Sequence, residues 1–187
     1  MKKYAMIHDE NLCIGCDACM VACKNENKTN RGVNLLKIHQ QTIGVFPNLQ
    51  TTFRRTSCIM CEDSACEHSC PVGAIFHQKD GVVLIDDKKC IGCGYCLSAC
   101  PYGGMMLDTK TAKATKYTFC FDDKLSANLS PACVAVCPTD ALIFGDLNDK
   151  NSEISKYKKS VKFARGYKKS KPRLGIIKNS TGNNFVS

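Results

Sequence analysis

Apolar positions along the chain come in short bursts rather than long runs. Ala74-Ile75-Phe76-His77 and Val82-Val83-Leu84-Ile85-Asp86 flank Gln78-Lys79-Asp80-Gly81, which predicts two strands joined by an Asp-Gly turn. Met105-Met106-Leu107 and Thr115-Lys116-Tyr117 predict a second hairpin, turning over Asp108–Lys113. Short helices are predicted over Cys16–Asn25, Tyr95–Ala99 and Pro131–Val136, the last opened by a proline suited to a first helical turn. No apolar stretch approaches the ~20 residues that a membrane-spanning helix needs.

Composition sharpens this picture. Of 187 residues, 44% are hydrophobic, but that share counts 15 cysteines and there is no tryptophan. The length suits one domain or two small ones, and a purely apolar core would be thin. Something besides side chains is expected to fill the middle. The charge is uneven: ten of the 26 Lys and Arg residues lie from Lys156 onward, where there is no Asp or Glu. The formal net charge of +9 therefore belongs to the end of the chain.

The cysteines are arrayed in repeats. Group I, Cys13-Ile14-Gly15-Cys16-Asp17-Ala18-Cys19-Met20-Val21-Ala22-Cys23, recurs as group III, Cys90-Ile91-Gly92-Cys93-Gly94-Tyr95-Cys96-Leu97-Ser98-Ala99-Cys100, both C-x2-C-x2-C-x3-C. Group II is Cys58, Cys61, Cys66 and Cys70, and group IV is the incomplete set Cys120, Cys133 and Cys137. Three groups end in Cys-Pro, at Cys70-Pro71, Cys100-Pro101 and Cys137-Pro138. Beyond each lies a small residue and then an apolar one: Ala74-Ile75, Gly104-Met105 and Ala141-Leu142.

A disulfide framework fits poorly: the cysteine count is odd, and Met1-Lys2-Lys3-Tyr4-Ala5-Met6-Ile7-His8 has no apolar stretch of a secretory leader. Structural zinc uses two separated ligand pairs, unlike a dense cysteine triplet followed by Cys-Pro. Three thiolates on one tight loop, with Gly15 or Gly92 helping it turn, suit a cubane iron–sulfur cluster. The fourth cysteine serves the neighbouring cluster, as in two-cluster bacterial ferredoxins.

These residues resemble the iron–sulfur subunits of bacterial molybdopterin oxidoreductases, of the polysulfide, thiosulfate, tetrathionate and DMSO reductase type. The likeness is carried by the four ordered groups, by His8-Asp9 before Cys13 and Lys24 after Cys23, and by Ser130-Pro131-Ala132-Cys133-Val134-Ala135-Val136-Cys137-Pro138-Thr139-Asp140-Ala141-Leu142. It covers about residues 4–150, and the short chain is most similar to the polysulfide/thiosulfate branch. The resemblance implies an α+β fold of two ferredoxin-like units. The outer unit, 1–57 with 101–150, takes groups I and IV and carries an insertion at 31–55. The inner unit, 58–100, takes groups II and III, and 151–187 is a basic C-terminal tail.

The resemblance also implies the ligand sets. Cys13, Cys16 and Cys19 join Cys137 around cluster 1. Cys58, Cys61 and Cys66 join Cys100 around cluster 3, and Cys90, Cys93 and Cys96 join Cys70 around cluster 4. Each of these would be a 4Fe–4S cluster. Cluster 2 has Cys23, Cys120 and Cys133 but lacks one thiolate. An ungapped alignment puts Tyr117 in the vacant place, with Asp123 as the alternative. Three thiolates allow a 3Fe–4S cluster, a 4Fe–4S cluster with an oxygen ligand from Tyr117, Asp122, Asp123 or water, or an empty site. The implied function is relay of single electrons between a membrane quinol-oxidising anchor subunit and a molybdopterin catalytic subunit, in anaerobic respiration. The set with Cys137 faces the catalytic partner and the set with Cys70 faces the anchor. The implied location is a membrane-associated complex on the periplasmic face, exported with a twin-arginine partner, or else the cytoplasm.

Nothing else in the chain points to catalysis. His8, His39, His68 and His77 show no paired spacing and are read as ordinary positions, with His68, between Cys66 and Cys70, placed to tune a cluster by hydrogen bonding. There is no Ser/His/Asp set and no phosphate-cradling glycine loop. The end of the chain, with Lys158-Lys159 and Lys168-Lys169-Ser170-Lys171-Pro172-Arg173, reads as a solvated extension, an arm around a partner subunit, or a contact to anionic lipid. The rival functions are a free cytoplasmic polyferredoxin and a zinc-binding nucleic-acid module. No nucleic-acid partner is expected, since no recognition module accompanies the charge.

Overall fold

A computed structural model describes residues 2–157, 162–163, 171 and 173–177. It begins with strand β1 (Tyr4–Asp9) and, past the first cysteine loop, helix α1 (Ala18–Glu26). A long hairpin of β2 (Leu36–Val45) and β3 (Asn48–Ser57) follows, paired from Leu36↔Ser57 to Val45↔Asn48. Next come α2 (Ala65–His68), the hairpin of β4 (Ile75–His77) and β5 (Val83–Ile85), and α3 (Tyr95–Ala99). The hairpin of β6 (Met105–Asp108) and β7 (Lys113–Lys116), a π-helical turn over Phe121–Leu125, α4 (Ala132–Ala135) and β8 (Leu142–Asp146) complete the cysteine-bearing part. Beyond it lie α5 (Glu153–Lys156), β9 (Lys162–Phe163) and β10 (Leu174–Ile177).

The two predicted hairpins and three predicted helices are present within a residue or two of the expected limits. In the first, Gly81 adopts φ +78, and its missing side chain leaves room for the Arg173 guanidinium. The segment 31–55, expected only as an insertion, is mostly the β2–β3 ribbon. Its strands read polar because only the end next to the body is buried, while Val45, Phe46 and Leu49 near the turn stand exposed.

β1 is central to a sheet ordered β8-β1-β10-β9, antiparallel to β8 and parallel to β10. It is buried on both faces. Ala5 and Ile7 pack with Ile143 and Ile154 on one side, and Met6 faces the main core on the other. That main core mixes Leu36, Met60, Val83, Met105, Tyr117 and Phe119 with Cys19, Cys23, Cys96 and Cys133. α1 packs against α4, and α2 against α3.

The end of the chain corrects one expectation. Segment 173–177 is not a solvated extension: Met6 N–H donates to Arg173 O at 3.2 Å, Arg173 N–H donates to Ile59 O at 2.9 Å, and β10 pairs with β1 over Met6↔Leu174 to Asp9↔Ile177. Arg173 also donates from Nη1 to Asp80 O at 3.0 Å and lies 3.7 Å from Glu62. The basic residues Lys158, Lys159, Lys168 and Lys169 lie outside the described residues. Among the described residues, no helix is long and apolar enough to cross a membrane.

Candidate metal centres

The C-x2-C-x2-C loops of groups I and III are built alike. Gly15 and Gly92 share φ +69, and the residue opening each helix, Asp17 (φ 58) or Gly94 (φ 78), is also left-handed. Two such turns curl the backbone back on itself, so Cys19 and Cys96 point inward from the first helical turn while Cys16 and Cys93 stay exposed. All fifteen cysteines carry free thiols.

The structure gathers the cysteines into four sets. Cys13, Cys16, Cys19 and Cys137 line one small cavity, walled by His8, Ile38, Ala141 and Leu142. Cys70, Cys90, Cys93 and Cys96 line another, walled by Ala74, Ile75, Ile85 and Ala114. Cys66 faces Cys58, Cys61 and Cys100 closely enough that their charges act on it. Cys23 faces Cys133 and Cys120 in the same way.

Tyr117 lies beside that last set. It is fully buried, with its hydroxyl 3.0 Å from Cys133 Sγ and its ring edge-on to Phe119. Asp122 and Asp123, on the π turn, are exposed. The oxygen beside these three thiols is therefore the phenol of Tyr117. Burial, with Cys133 next to it, pushes its pKa well above the usual tyrosine value, so in the protein alone it is a neutral O–H.

Electrostatics shows what these sites lack. Burial, and then the neighbouring Cys133 and Cys120, together push the Cys23 thiol up to about 12. Cys66 is raised to about 12 by burial and then by Cys58, and Cys19 to about 11 by burial. The polypeptide by itself cannot keep these groups ionised together, whereas a metal ligand must be a thiolate. Four soft donors around an apolar cavity fit a compact, multiply charged iron–sulfur group, which would supply the missing positive charge. Among the described residues, no three His, Cys, Asp or Glu side chains come together to hold a single metal ion.

The Cys-Pro repeat also acquires a physical reason. Cys70 Sγ accepts a hydrogen bond from Ala74 N–H at 3.2 Å, and Cys100 Sγ accepts one from Gly104 N–H at 3.4 Å. The small residue four places on lets the backbone close over the sulfur. At Gly104 a side chain would meet the backbone of Cys58 at 2.6 Å. Such N–H···S bonds favour the charged sulfur and are one lever on cluster potential.

Three polar residues in this core carry no motif. Lys116 is buried, donates to Tyr117 O at 3.0 Å, and its charge offsets those around Cys66. Arg55 is buried with its guanidinium 4.6 Å from the Tyr117 ring centre. His8 is buried in the wall of the Cys13 cavity, so its reading as an ordinary position is revised. Burial and then Arg55 lower its pKa to about 4. Strand alternation hinted at Arg55, since Phe53, Arg55 and Ser57 share a face and Arg54 is exposed, but nothing local said which face was inside. His68, expected near a cluster, instead sits at the surface bonded to Asp63 at 2.6 Å. His39 is exposed, and His77 bonds Ser64 Oγ at 2.8 Å.

Comparison with known proteins agrees with this chemistry. The family model of the 4Fe-4S dicluster domain matches residues 49–147, and that of the 4Fe-4S binding domain matches residues 10–27. The B component of the polysulfide reductase of Wolinella succinogenes is 43% identical over 185 residues, 97% of each protein. The thiosulfate reductase electron transfer subunit of Salmonella typhi is 41% identical over 177 residues, covering 94% of this chain and 90% of that one. The B component of the tetrathionate reductase of Salmonella typhimurium is 39% identical over 155 residues, 82% of this chain and 62% of its own length. With the thiols gathered as they are, and relatives that run the length of the chain, this protein belongs to the 4Fe–4S dicluster family of electron-transfer subunits of oxidoreductase complexes.

Proposed function

We propose that the chain relays single electrons through four iron–sulfur clusters between a molybdopterin catalytic subunit and a quinol-oxidising membrane anchor, reducing a sulfur-containing acceptor such as polysulfide or thiosulfate. The observation that carries this reading is the form of the two cavities. Each opens at an exposed cysteine, Cys16 or Cys93, inside a rim of exposed apolar side chains. Ile14 lines the first, and Val72 and Ile91 line the second; Leu12, Val136 and Tyr95, exposed as well, neighbour the cluster cysteines in sequence. Exposed apolar side chains around a redox group suit subunit contact, because docking removes water and brings the partner's carrier close.

The ligand sets would be Cys13, Cys16, Cys19 and Cys137; Cys58, Cys61, Cys66 and Cys100; and Cys70, Cys90, Cys93 and Cys96, each holding a 4Fe–4S cluster. Cys23, Cys120 and Cys133 would hold the remaining cluster, of 3Fe–4S type or with the Tyr117 oxygen as its fourth ligand. When bound, these groups accept and release one electron at a time. The pairing of α1 with α4 and of α2 with α3 supports two nested ferredoxin-like units, one inside the other. The names of the similar reductases support the complex and its sulfur acceptor. A membrane-associated complex on the periplasmic side fits this respiratory role.

The test is anaerobic purification with whatever subunits co-purify, followed by redox titration read by EPR. Ile14→Glu and Ile91→Glu are expected each to release a different partner while iron content stays at the wild-type level. Co-purification unchanged in both variants, or a colourless wild-type chain without acid-labile sulfide, would overturn the proposal.

A further inference from the structure

Arg55 is a buried cation without a buried anion. Only 2% of it is exposed, and among the described residues no carboxylate forms an ion pair with it. Its Nη1 donates to Ser57 Oγ at 2.6 Å, but Nε and Nη2 are buried with no hydrogen-bond partner. A guanidinium stays charged at any ordinary pH. A buried charge without a partner is among the costliest features a fold can carry. Strand alternation turns position 55 toward the core and neighbouring Arg54 toward solvent, so the chain carries a charge at a position that faces inward.

The surroundings of Arg55 say what the charge is for. Its guanidinium stacks over the Tyr117 ring at 4.6 Å, and the hydroxyl of that ring lies 3.0 Å from Cys133 Sγ. The same charge favours ionisation of Cys19, from the Cys13 set, and of Cys23, from the Cys133 set. Arg55 thus lies close enough to both thiol sets for its charge to act on each. His8, in the wall of the Cys13 cavity, also has both ring nitrogens buried and unpartnered.

We propose that Arg55 is the fixed countercharge of the two iron–sulfur clusters held by the Cys13–Cys137 set and the Cys23–Cys133 set, and that it raises the reduction potential of both. This rests on the cluster reading above. An iron–sulfur group held by thiolates is anionic and gains one further negative charge on reduction. A buried cation beside it therefore stabilises the reduced form more than the oxidised one. Net charge and hydrogen bonds to sulfur are established levers on these potentials. Arg55 is a positioning and tuning residue that ligates nothing. Each of the two clusters it faces is thereby more readily reduced than it would be without Arg55.

The experiment is an EPR-monitored redox titration of the anaerobically purified wild-type complex and of Arg55→Met, Arg55→Gln and Arg55→Lys, with iron and acid-labile sulfide measured in each. In the neutral variants, the ratio of reduced to oxidised form of two clusters at a fixed potential should fall about tenfold, a downward shift of about 59 mV for a one-electron couple. The other potentials should stay in place, and the Lys variant should recover much of the shift. Where Arg55→Met fails to assemble, Arg55→Gln, which keeps a polar head without the charge, gives the reading. Loss of iron from both neutral variants with its retention in Arg55→Lys also supports the proposal. Unmoved potentials in an iron-replete neutral variant overturn it, as does equal loss of iron in all three variants. A wild-type complex without iron and sulfide would instead overturn the cluster reading beneath it.

Discussion

Replacing Gly92 by alanine puts a methyl group against a wall that cannot retreat. Gly92 sits at φ +69 in the loop between Cys90 and Cys93, where an L-residue costs about 1–2 kcal/mol. The added Cβ would lie 1.9 Å from the carbonyl oxygen of Ala112, more than an ångström short of an ordinary contact. Ala112 is itself left-handed, at φ 54, in the tight turn between β6 and β7, and Lys113 beside it is tied to Asp87 O. The clash must therefore move backbone on one side or the other. With the torsional strain, we expect a loss of about 3–5 kcal/mol, in the range reserved for core disruptions. Two controls separate the contributions. At Gly94 (φ +78) nothing lies within 4 Å of an added Cβ, so Gly94→Ala carries only the strain. At Gly15, with the same φ as Gly92, the obstacle is the Phe53 ring at 2.2 Å, a side chain that can swing aside. The expected order of damage is Gly92→Ala, then Gly15→Ala, then Gly94→Ala. It is read as thermal midpoint and as iron and acid-labile sulfide per chain after anaerobic purification. Gly92→Ala should lose one cluster's worth of iron. If it matches Gly94→Ala in both measurements, the packing argument fails.

Other outcomes follow from single contacts. Tyr117→Cys restores a C-x2-C spacing to Cys120 and offers a fourth sulfur beside Cys133; it should convert a three-iron EPR signal to that of a four-iron cluster and add about one iron per chain. An unchanged spectrum and iron content would show that Tyr117 does not occupy the ligand place. Glu62 binds Lys3 and Arg173, and the Lys3 hydrogen bond holds its carboxyl below the usual carboxylate range despite partial burial. A depressed carboxylate stabilises the fold above its unfolded pKa of about 4.3 and ceases to do so as pH falls through the lower folded value, so its contribution is complete at pH 7. Glu62→Gln should therefore cost about 1 kcal/mol at pH 7, read as a lower thermal midpoint than that of the wild type. An unchanged midpoint would mean that the pairing of β10 to β1 holds Arg173 in place without Glu62.

Much of the chemistry was legible in the order of residues because it is local. A thiol every third residue with a left-handed glycine between them defines a loop around a compact cofactor, whatever surrounds it. The Asp80-Gly81 turn likewise needs only its own four residues to form. The pairing of distant cysteines came only from family resemblance, because loop spacing says nothing about which loops meet.

What stayed hidden depends on which side of a strand meets the core. Arg54 and Arg55 are identical to a sequence reader, yet one is solvated and the other is a buried charge that acts on two thiol sets. Tyr117 and Asp123 stand equally far from Cys120 along the chain, and only folding buries the phenol beside Cys133 and leaves the carboxylate in water. The last strand was concealed by its basic surroundings, because Leu174–Ile177 becomes buried only by pairing with β1, more than 160 residues earlier. Spacing along the backbone specifies short-range geometry, whereas burial is a property of partners that the chain meets only when it closes.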